Sequence, residues 1–175
     1  MTDWTTRGQG ITPLTSFFIG AAMISKKTKY ALKAMEYLAL NSNGRPVLIA
    51  DLASAENIPR KFLEFILLSL RKGGLLTSRI GKGGGYSLAL DPSEISIGSI
   101  VKILEGGFSL VHCLDGNGTK QCEEGNDPSC CGIHLVMVDM KKSITSILET
   151  TTLADIIKKK DSANKIRSNI LDYCI

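Results

Sequence analysis

The sequence predicts a mostly α-helical fold with a small β wing, in which a winged helix-turn-helix domain is followed by a long dimerisation helix. Apolar residues recur at helical spacing along most of the chain after residue 23. A short helical segment, a turn and a longer helical segment follow one another, as in a helix-turn-helix. A glycine-rich hairpin comes directly after them, in the position of a wing.

The chain of 175 residues is long enough for one compact domain with an appended element. The apolar run 17–24 is too short to span a bilayer, so we expect a cytoplasmic protein without a membrane partner. We predict five segments: a disordered extension over 1–22, the winged helix-turn-helix domain over 23–107, a cysteine-rich cluster loop over 108–132, the dimerisation helix with a short terminal helix over 133–157, and a polar tail over 158–175.

Charge is distributed unevenly along the chain, whose formal net charge is +4. Residues 23–90 carry eleven Lys and Arg against four Asp and Glu, a local charge of +7, so the remainder sums to −3. A basic domain beside a mildly acidic one indicates that the first half binds a polyanion, which for a helix-turn-helix is double-stranded DNA. A solvated basic surface is the alternative that charge alone leaves open.

Three helices are predicted within the helix-turn-helix region. The first begins at the capping residue Ser25 and ends at Gly44, and a short second helix breaks around residues 56–57. The third opens at Pro59, whose fixed φ suits a first helical turn. The first and third helices carry apolar stripes with helical spacing, which are Ala31, Ala34, Met35 and Leu38 in the first and Leu63, Ile66, Leu67 and Leu70 in the third.

The residues predicted to contact DNA lie at the start of the third helix and in the wing. A recognition helix points its amino-terminal end at base edges, which here presents Arg60, Lys61 and Glu64. Arg and Lys bind guanine or phosphate, and Glu accepts a hydrogen bond from cytosine. The wing is predicted as strands over 75–80 and 86–90, where Arg79 and Lys82 are expected to contact the backbone or minor groove.

Further helices are predicted after Pro92. Ser96 is expected to cap one that ends at Gly106 and Gly107, and Thr152 to cap a short last helix. Between them, a long helix carries apolar residues at intervals of mostly four and three, which is typical of packing against a partner helix. We therefore expect a homodimer; the alternative is that the helix buries this stripe inside its own domain. The stripe consists of Ile133, Met137, Met140, Ile144, Ile147 and Leu148.

Four of the five cysteines and one of the two histidines lie between Cys113 and His134. The residues that separate them are typical of turns, so hydrophobic packing cannot fix these thiols. An iron–sulfur cluster suits the wide spacing and accepts histidine in place of cysteine, whereas zinc sites usually pair ligands two to four residues apart. Zinc, reactive thiols and a chance enrichment are the alternatives, in that order, and disulfides are rare in the cytoplasm.

Several motifs together resemble the Rrf2 family of bacterial winged-helix transcriptional regulators, which includes the IscR and NsrR types. They are S-K-K-T-K-Y-A-L-K-A-M over 25–35, L-R-K-G-G-L-L over 70–76, G-K-G-G-G-Y over 81–86 and T-T-L-A-D over 151–155. The resemblance covers residues 23 to about 157. It implies a homodimeric regulator, such as a repressor, that binds DNA and senses iron–sulfur, redox or nitric-oxide status.

The resemblance also implies a ligand set. In the IscR type, three cysteines and a histidine three residues after the last of them bind a 2Fe–2S cluster, with 4Fe–4S as the alternative in the family. The matching residues are Cys113, Cys122, Cys131 and His134, with Cys130 as an alternate to Cys131.

The sequence departs from the family pattern at three places. The gaps between cysteines are wider than is usual, and Cys130 is an additional cysteine. Lys29 and Lys33 stand where other members carry an acidic or a histidine ligand. Ile80 stands where many IscR-like wings have an arginine, with Arg79 just before it.

An enzyme is not expected, because the sequence lacks a nucleophile motif and its G-K-G-G-G stretch lacks the spacing of a nucleotide-binding loop. The alternative to a DNA-binding regulator is a zinc-stabilised or thiol-based module whose winged helix binds protein.

Overall fold

The computed structural model describes residues 24–42, 45–81, 83–107 and 131–172, with side chains as far as residue 166. Within these ranges the fold is mostly α-helical with a two-stranded antiparallel wing, which confirms the predicted fold class. The elements are α1 (Lys26–Asn41), α2 (Ile49–Ala55), α3 (Arg60–Lys72), β1 (Leu76–Arg79), β2 (Gly85–Leu88), α4 (Ile97–Glu105), α5 (Gly132–Thr150) and α6 (Leu153–Asp172).

Helix α1 lies at the centre of the domain. The hydroxyl of Ser25 accepts a hydrogen bond from the Thr28 amide at 3.3 Å, as its predicted capping role requires. The whole predicted stripe of α1 is buried, and the helix packs against α2, α3, α4, α6 and β2. The helix ends at Asn41 with Ser42 as its cap, earlier than the predicted stop at Gly44, which lies outside the described residues.

The turn between α2 and α3 forms where the sequence predicts it. Asn57 has φ of 51°, a left-handed conformation that Asn tolerates better than most residues. The Ile58 amide then bonds to the Ala53 carbonyl at 2.9 Å, and the Ile58 side chain enters the core. Pro59 stands just before α3, which begins at Arg60 and not at Pro59 as predicted, and the predicted apolar stripe of α3 is entirely buried.

The wing consists of β1 and β2 joined by the glycine-rich turn. Ser78 pairs with Tyr86, and Val47 bridges to the other side of Tyr86, so three backbone segments meet there. A Cβ atom on Gly85 would lie 2.2 Å from the Val47 carbonyl oxygen, and one on Gly84 would lie 2.3 Å from the Arg79 carbonyl oxygen. These two glycines are therefore required by the packing of the wing itself.

Helix α4 is the last helix of the winged domain, and its end contacts the start of α1. Ser96 caps it by accepting a hydrogen bond from the Ser99 amide at 3.1 Å. At its other end, the Glu105 carboxylate accepts hydrogen bonds from the hydroxyls of Ser25 and Thr28, and the Lys27 ammonium donates to the Leu104 carbonyl. These contacts connect the last turn of α4 to the first turn of α1.

Helix α6 is longer than the short terminal helix that the sequence predicts. It continues through the polar stretch after residue 157 to Asp172, because that stretch contains neither Pro nor Gly. Thr152 and Asp155 form a reciprocal cap, and the hydrogen bonds from the Thr152 amide and hydroxyl lower the pKa of the Asp155 carboxyl. Lys160 pairs with Glu36 of α1 at 2.8 Å.

No helix in the described parts of the chain is long and apolar enough to cross a membrane.

The junction between α4 and α1 predicts a pH-dependent contribution to stability. Burial raises the pKa of Glu105, but hydrogen bonds from Ser25 and Thr28 and the nearby Lys27 charge outweigh it, so the pKa is below its ordinary value. A lowered pKa stabilises the fold above the ordinary value, and that contribution is lost as pH falls through the folded-state pKa. Glu105→Gln should lower the free energy of unfolding by up to about 1 kcal/mol at neutral pH, since the carboxylate is solvent-exposed.

Urea unfolding at about pH 7 and about pH 3 measures this effect. The difference between wild type and Glu105→Gln should shrink at the lower pH, whereas Glu149→Gln, at an exposed residue near the end of α5, should match wild type at both. A difference of the same size at both pH values would show that the charge of Glu105 makes no contribution.

Candidate DNA interface and cysteine site

The outward face of α3 lies opposite its buried stripe. Lys61, Phe65, Leu68 and Lys72 recur at intervals of four, three and four residues and are all exposed, so they form one continuous face. Arg60 and Glu64 lie beside this face in the first turns of the helix. Arg60, Lys61 and Glu64 are therefore all exposed at the start of α3, and their contact with DNA stays a prediction.

Arg60 and Glu64 pair with each other across one turn of α3. The Arg60 Nε atom donates to the Glu64 Oε1 atom at 3.2 Å, and both side chains are more than half exposed, at 64% and 51%. An exposed i, i+4 pair contributes well under about 1 kcal/mol. Bases or phosphates can therefore separate the two side chains at little cost.

A ring contact connects α3 to α1. Phe62 lies edge-on to Tyr30, with ring centroids 5.9 Å apart and an interplanar angle of 79°. The Lys26 ammonium lies 5.7 Å from the centre of the Tyr30 ring. Phe62 therefore helps to hold α3 against α1, whereas Phe65, three residues later, has 58% of its surface exposed.

Of the two DNA contacts predicted for the wing, Arg79 is among the described residues. Arg79 is exposed at the end of β1, and the next residue, Ile80, is 96% exposed. The Arg71 guanidinium donates to the Ser78 hydroxyl at 2.9 Å, which fixes the base of the wing to the end of α3. Lys82 lies outside the described residues.

The turn of the wing is more open than its base. Gly81 and Gly83 have positive φ values of 103° and 79°, and nothing lies within 4 Å of a Cβ built on either one. Open space around a glycine-rich turn permits close approach of another molecule's backbone.

Two of the four predicted cluster ligands are within the described residues, at the start of α5. Cys131 occupies the capping position with an extended backbone, its thiol is free and half-buried, and His134 is the third residue of the helix. They are the N-cap and N3 positions of α5, and the Cys131 thiol makes no capping hydrogen bond. The His134 Nδ1 atom is buried and has no hydrogen-bond partner among the described residues.

The remaining predicted ligands Cys113 and Cys122 and the alternate Cys130 lie outside the described residues. Within the part of the chain that the structure describes, no group of three or more His, Cys, Asp or Glu side chains is arranged to hold a metal ion. The ligand set therefore stays a prediction.

The predicted dimer face of α5 is largely exposed. Ile133 and Ile147 are 72% and 63% exposed, and no residue of α5 is buried. Only Leu148, the last residue of the predicted stripe, packs against the core. A shallow open groove lined by Val136, Met140 and Ile144 runs along the same helix.

A helix-turn-helix with an outward basic face and an adjoining wing defines a winged-helix DNA-binding protein. The sequence model of Rrf2, described as an iron-dependent transcriptional regulator, matches residues 24–159. The chain belongs to the Rrf2 family of transcriptional regulators.

Curated relatives agree with this assignment. An rrf2-like helix-turn-helix transcriptional regulator of Rhodobacter capsulatus is 33% identical over 147 residues, which cover 82% of this chain and 98% of the relative. The regulator IscR of Yersinia pseudotuberculosis is 33% identical over 138 residues, covering 79% of this chain and 80% of the relative.

Solved structures resemble the fold as well. IscR of T. potens superimposes with a TM-score of 0.63 and 31% identity, over 80% of this chain and 89% of that one. CymR, the global cysteine regulator of B. subtilis, gives 0.64 and 29% identity, over 78% and 96% of the two chains. The family and its curated relatives are transcriptional regulators, which confirms the predicted class of regulator and the prediction that the chain is not an enzyme.

Proposed function

We propose that this regulator binds an iron–sulfur cluster, 2Fe–2S in the first instance, through Cys113, Cys122, Cys131 and His134, and that its DNA binding responds to the state of that cluster. The observation that carries the proposal is the start of α5, where a free thiol occupies the N-cap and an imidazole follows three residues later. The Nδ1 atom of that imidazole is buried and has no hydrogen-bond partner among the described residues. A relative named IscR and a family described as iron-dependent support the same chemistry.

The residues at the start of α5 fit such a group. A buried imidazole nitrogen without a hydrogen bond is costly unless it binds something, and coordination to a metal would satisfy it. The first turn of α5 contains no acidic residue, so the positive end of the helix dipole is available to an anionic thiolate–metal group. When bound, the cluster supplies a one-electron redox centre whose potential is raised by histidine ligation.

Helix packing connects the cysteine site to the DNA-contacting face. Helix α5 packs on α4, and α4 packs in turn on α1 and on α3. A Cβ atom on Gly98 of α4 would lie 3.2 Å from the Leu148 backbone, so α4 and α5 are in close contact. A displacement of α5 therefore acts through α4 on α3, the helix that carries Arg60, Lys61 and Glu64.

We further propose that the exposed face of α5 pairs with the same face of a second copy. A row of apolar side chains at intervals of four and three residues is typical of a helix that packs against a partner helix. Ile133, Met140 and Ile147 of this row are exposed, and Met137 and Ile144 between them are half-buried. A two-fold dimer places two α3 helices on one side, which suits a near-palindromic operator. Arg79 and Lys82 of each wing would then contact the flanking DNA.

Salt dependence tests the proposed DNA contacts. Alanine at Arg60, Lys61 and Lys82 together should weaken binding to the operator duplex, because each lost phosphate contact reduces the slope of log affinity against log salt by about one. Fluorescence anisotropy over a salt series measures both quantities, with Lys165→Ala in α6 as the control that leaves them unchanged. Salt-independent affinity of the wild-type protein would contradict the proposed contacts.

The dimer face is tested by placing a charge on it. Ile144→Glu would bury an unpaired carboxylate between two copies of α5, which costs on the order of 2–4 kcal/mol and shifts the population towards monomers. Sedimentation equilibrium measures the shift, and Ser146→Glu, on the exposed opposite side of α5, is the matched control. An Ile144→Glu protein that sediments as the wild type would mean that the stripe contributes nothing to assembly.

The ligand set is tested by colour and iron content after anaerobic purification. Alanine at Cys113, Cys122 or Cys131 should abolish visible absorption, because each change removes a thiolate ligand. Alanine at His134 should shift or weaken the absorption, since water or another side chain can replace a neutral ligand. Alanine at Cys130 is the matched control and should leave the spectrum as in wild type.

Other outcomes of that experiment are decisive. A colourless Cys130→Ala protein beside a coloured Cys131→Ala protein would exchange the roles of the two adjacent cysteines. Normal iron in both single variants would mean that either cysteine can serve. A colourless wild-type protein with bound zinc would replace the cluster proposal with the zinc-stabilised alternative while leaving DNA binding intact.

A further inference from the structure

Phe65 is the most exposed large apolar side chain of α3 and lies at the middle of its outward face. Its exposed fraction of 58% exceeds those of Phe62 and Leu68, at 38% and 37%. The ring contact with Tyr30 explains the position of Phe62. Phe65 is instead flanked along the face by Lys61, one turn before it, and by Leu68 and Lys72 after it.

We propose that Phe65 is a specificity-determining residue that recognises thymine by its methyl group in the major groove. The inference rests on the proposed placement of α3 in that groove. Among the base edges exposed there, the thymine methyl is the apolar group, and the others present hydrogen-bond donors or acceptors. A phenyl ring offers neither, so it discriminates by burying a methyl group and not by hydrogen bonding.

The surroundings of Phe65 favour DNA as the occupant of this face. Lys61 and Lys72 lie on the same face, and Arg60, Arg71 and Glu64 border it, so the net charge around the apolar patch is positive. The face is continuous with the amino-terminal end of α3, and the Arg71–Ser78 hydrogen bond fixes the wing at its other end. A basic frame around a small apolar patch complements phosphates around base edges.

The neighbouring Glu64 extends the inference to two adjacent bases. Glu64 accepts hydrogen bonds and is suited to the cytosine amino group, while Phe65 is suited to a thymine methyl group. The two side chains are consecutive in α3, so they reach neighbouring base pairs and not the same edge. The operator should therefore carry thymine next to the base that Glu64 contacts.

The test combines a protein change with the removal of a methyl group from DNA. A duplex is first selected by the wild-type protein from a randomised library, and each of its thymines is then replaced in turn by deoxyuridine, which differs only in that methyl group. At one or two positions in each half-site the wild type should lose about fourfold in affinity, the equivalent of one unburied methyl group. Phe65→Ala and Phe65→Gln should bind the thymine and uracil duplexes equally at those positions.

Matched variants separate this inference from the function on which it rests. Phe62→Ala should keep the full preference for thymine, because its ring contacts Tyr30. If Phe65→Gln keeps the preference, or if no thymine position discriminates, Phe65 does not read methyl groups. If, in addition, Lys61→Ala binds as tightly as the wild type, α3 does not lie in the groove. If the wild-type protein selects no duplex from the library, the proposed DNA-binding function is wrong, and the inference about Phe65 fails with that function.

Discussion

The arrangement of this domain depends on the buried face of α1. Ala31 and Ala34 are completely buried, and their small side chains let neighbouring elements approach the helix closely. Helix α1 contacts three other helices of the winged domain and strand β2, as well as α6 from the carboxy-terminal half. The direction in which α3 presents its outward face is therefore set by α1, and the Phe62–Tyr30 contact adds a local constraint to the same helix pair.

The helices of the winged domain are predictable because burial and periodicity coincide in them. Every apolar residue of the predicted stripes in α1 and α3 is buried, and Ser25 and Ser96 cap helices where their hydroxyls can accept an amide hydrogen bond. The full length of α6 was not predicted, because the polar run 158–162 interrupts its apolar pattern. One interaction there, between Lys160 and Glu36, joins residues far apart in the sequence, and the hydrogen bond from Lys160 to that carboxylate raises the pKa of the lysine.

For the candidate site, the sequence places Arg60, Lys61 and Glu64 at the start of α3, and the structure exposes all three because a helix whose apolar stripe is buried must expose the opposite side. Their contact with DNA stays a prediction. Phe65 was not predicted as a contact residue, because apolar residues in an amphipathic helix are normally assigned to the core. The signal was nevertheless present: Phe65 and Leu68 lie about half a turn from the buried stripe, so their burial in the same core would require a helix apolar all round. Whether such residues are buried depends on the helices that surround them, which a single sequence does not specify.

The two ends of the cysteine segment are attached to different parts of the molecule. On one side, Glu105 connects the end of α4 to Ser25 and Thr28, and Thr28 is completely buried, so its hydroxyl requires this partner. On the other side, Cys131 caps α5, a helix with no buried residue. Under the proposed cluster chemistry, a change at the cysteines would therefore act between a hydrogen-bonded junction at one end and a helix without buried residues at the other. Because α5 packs on α4 and α4 packs on α3, a shift of α5 would reach α3 through α4.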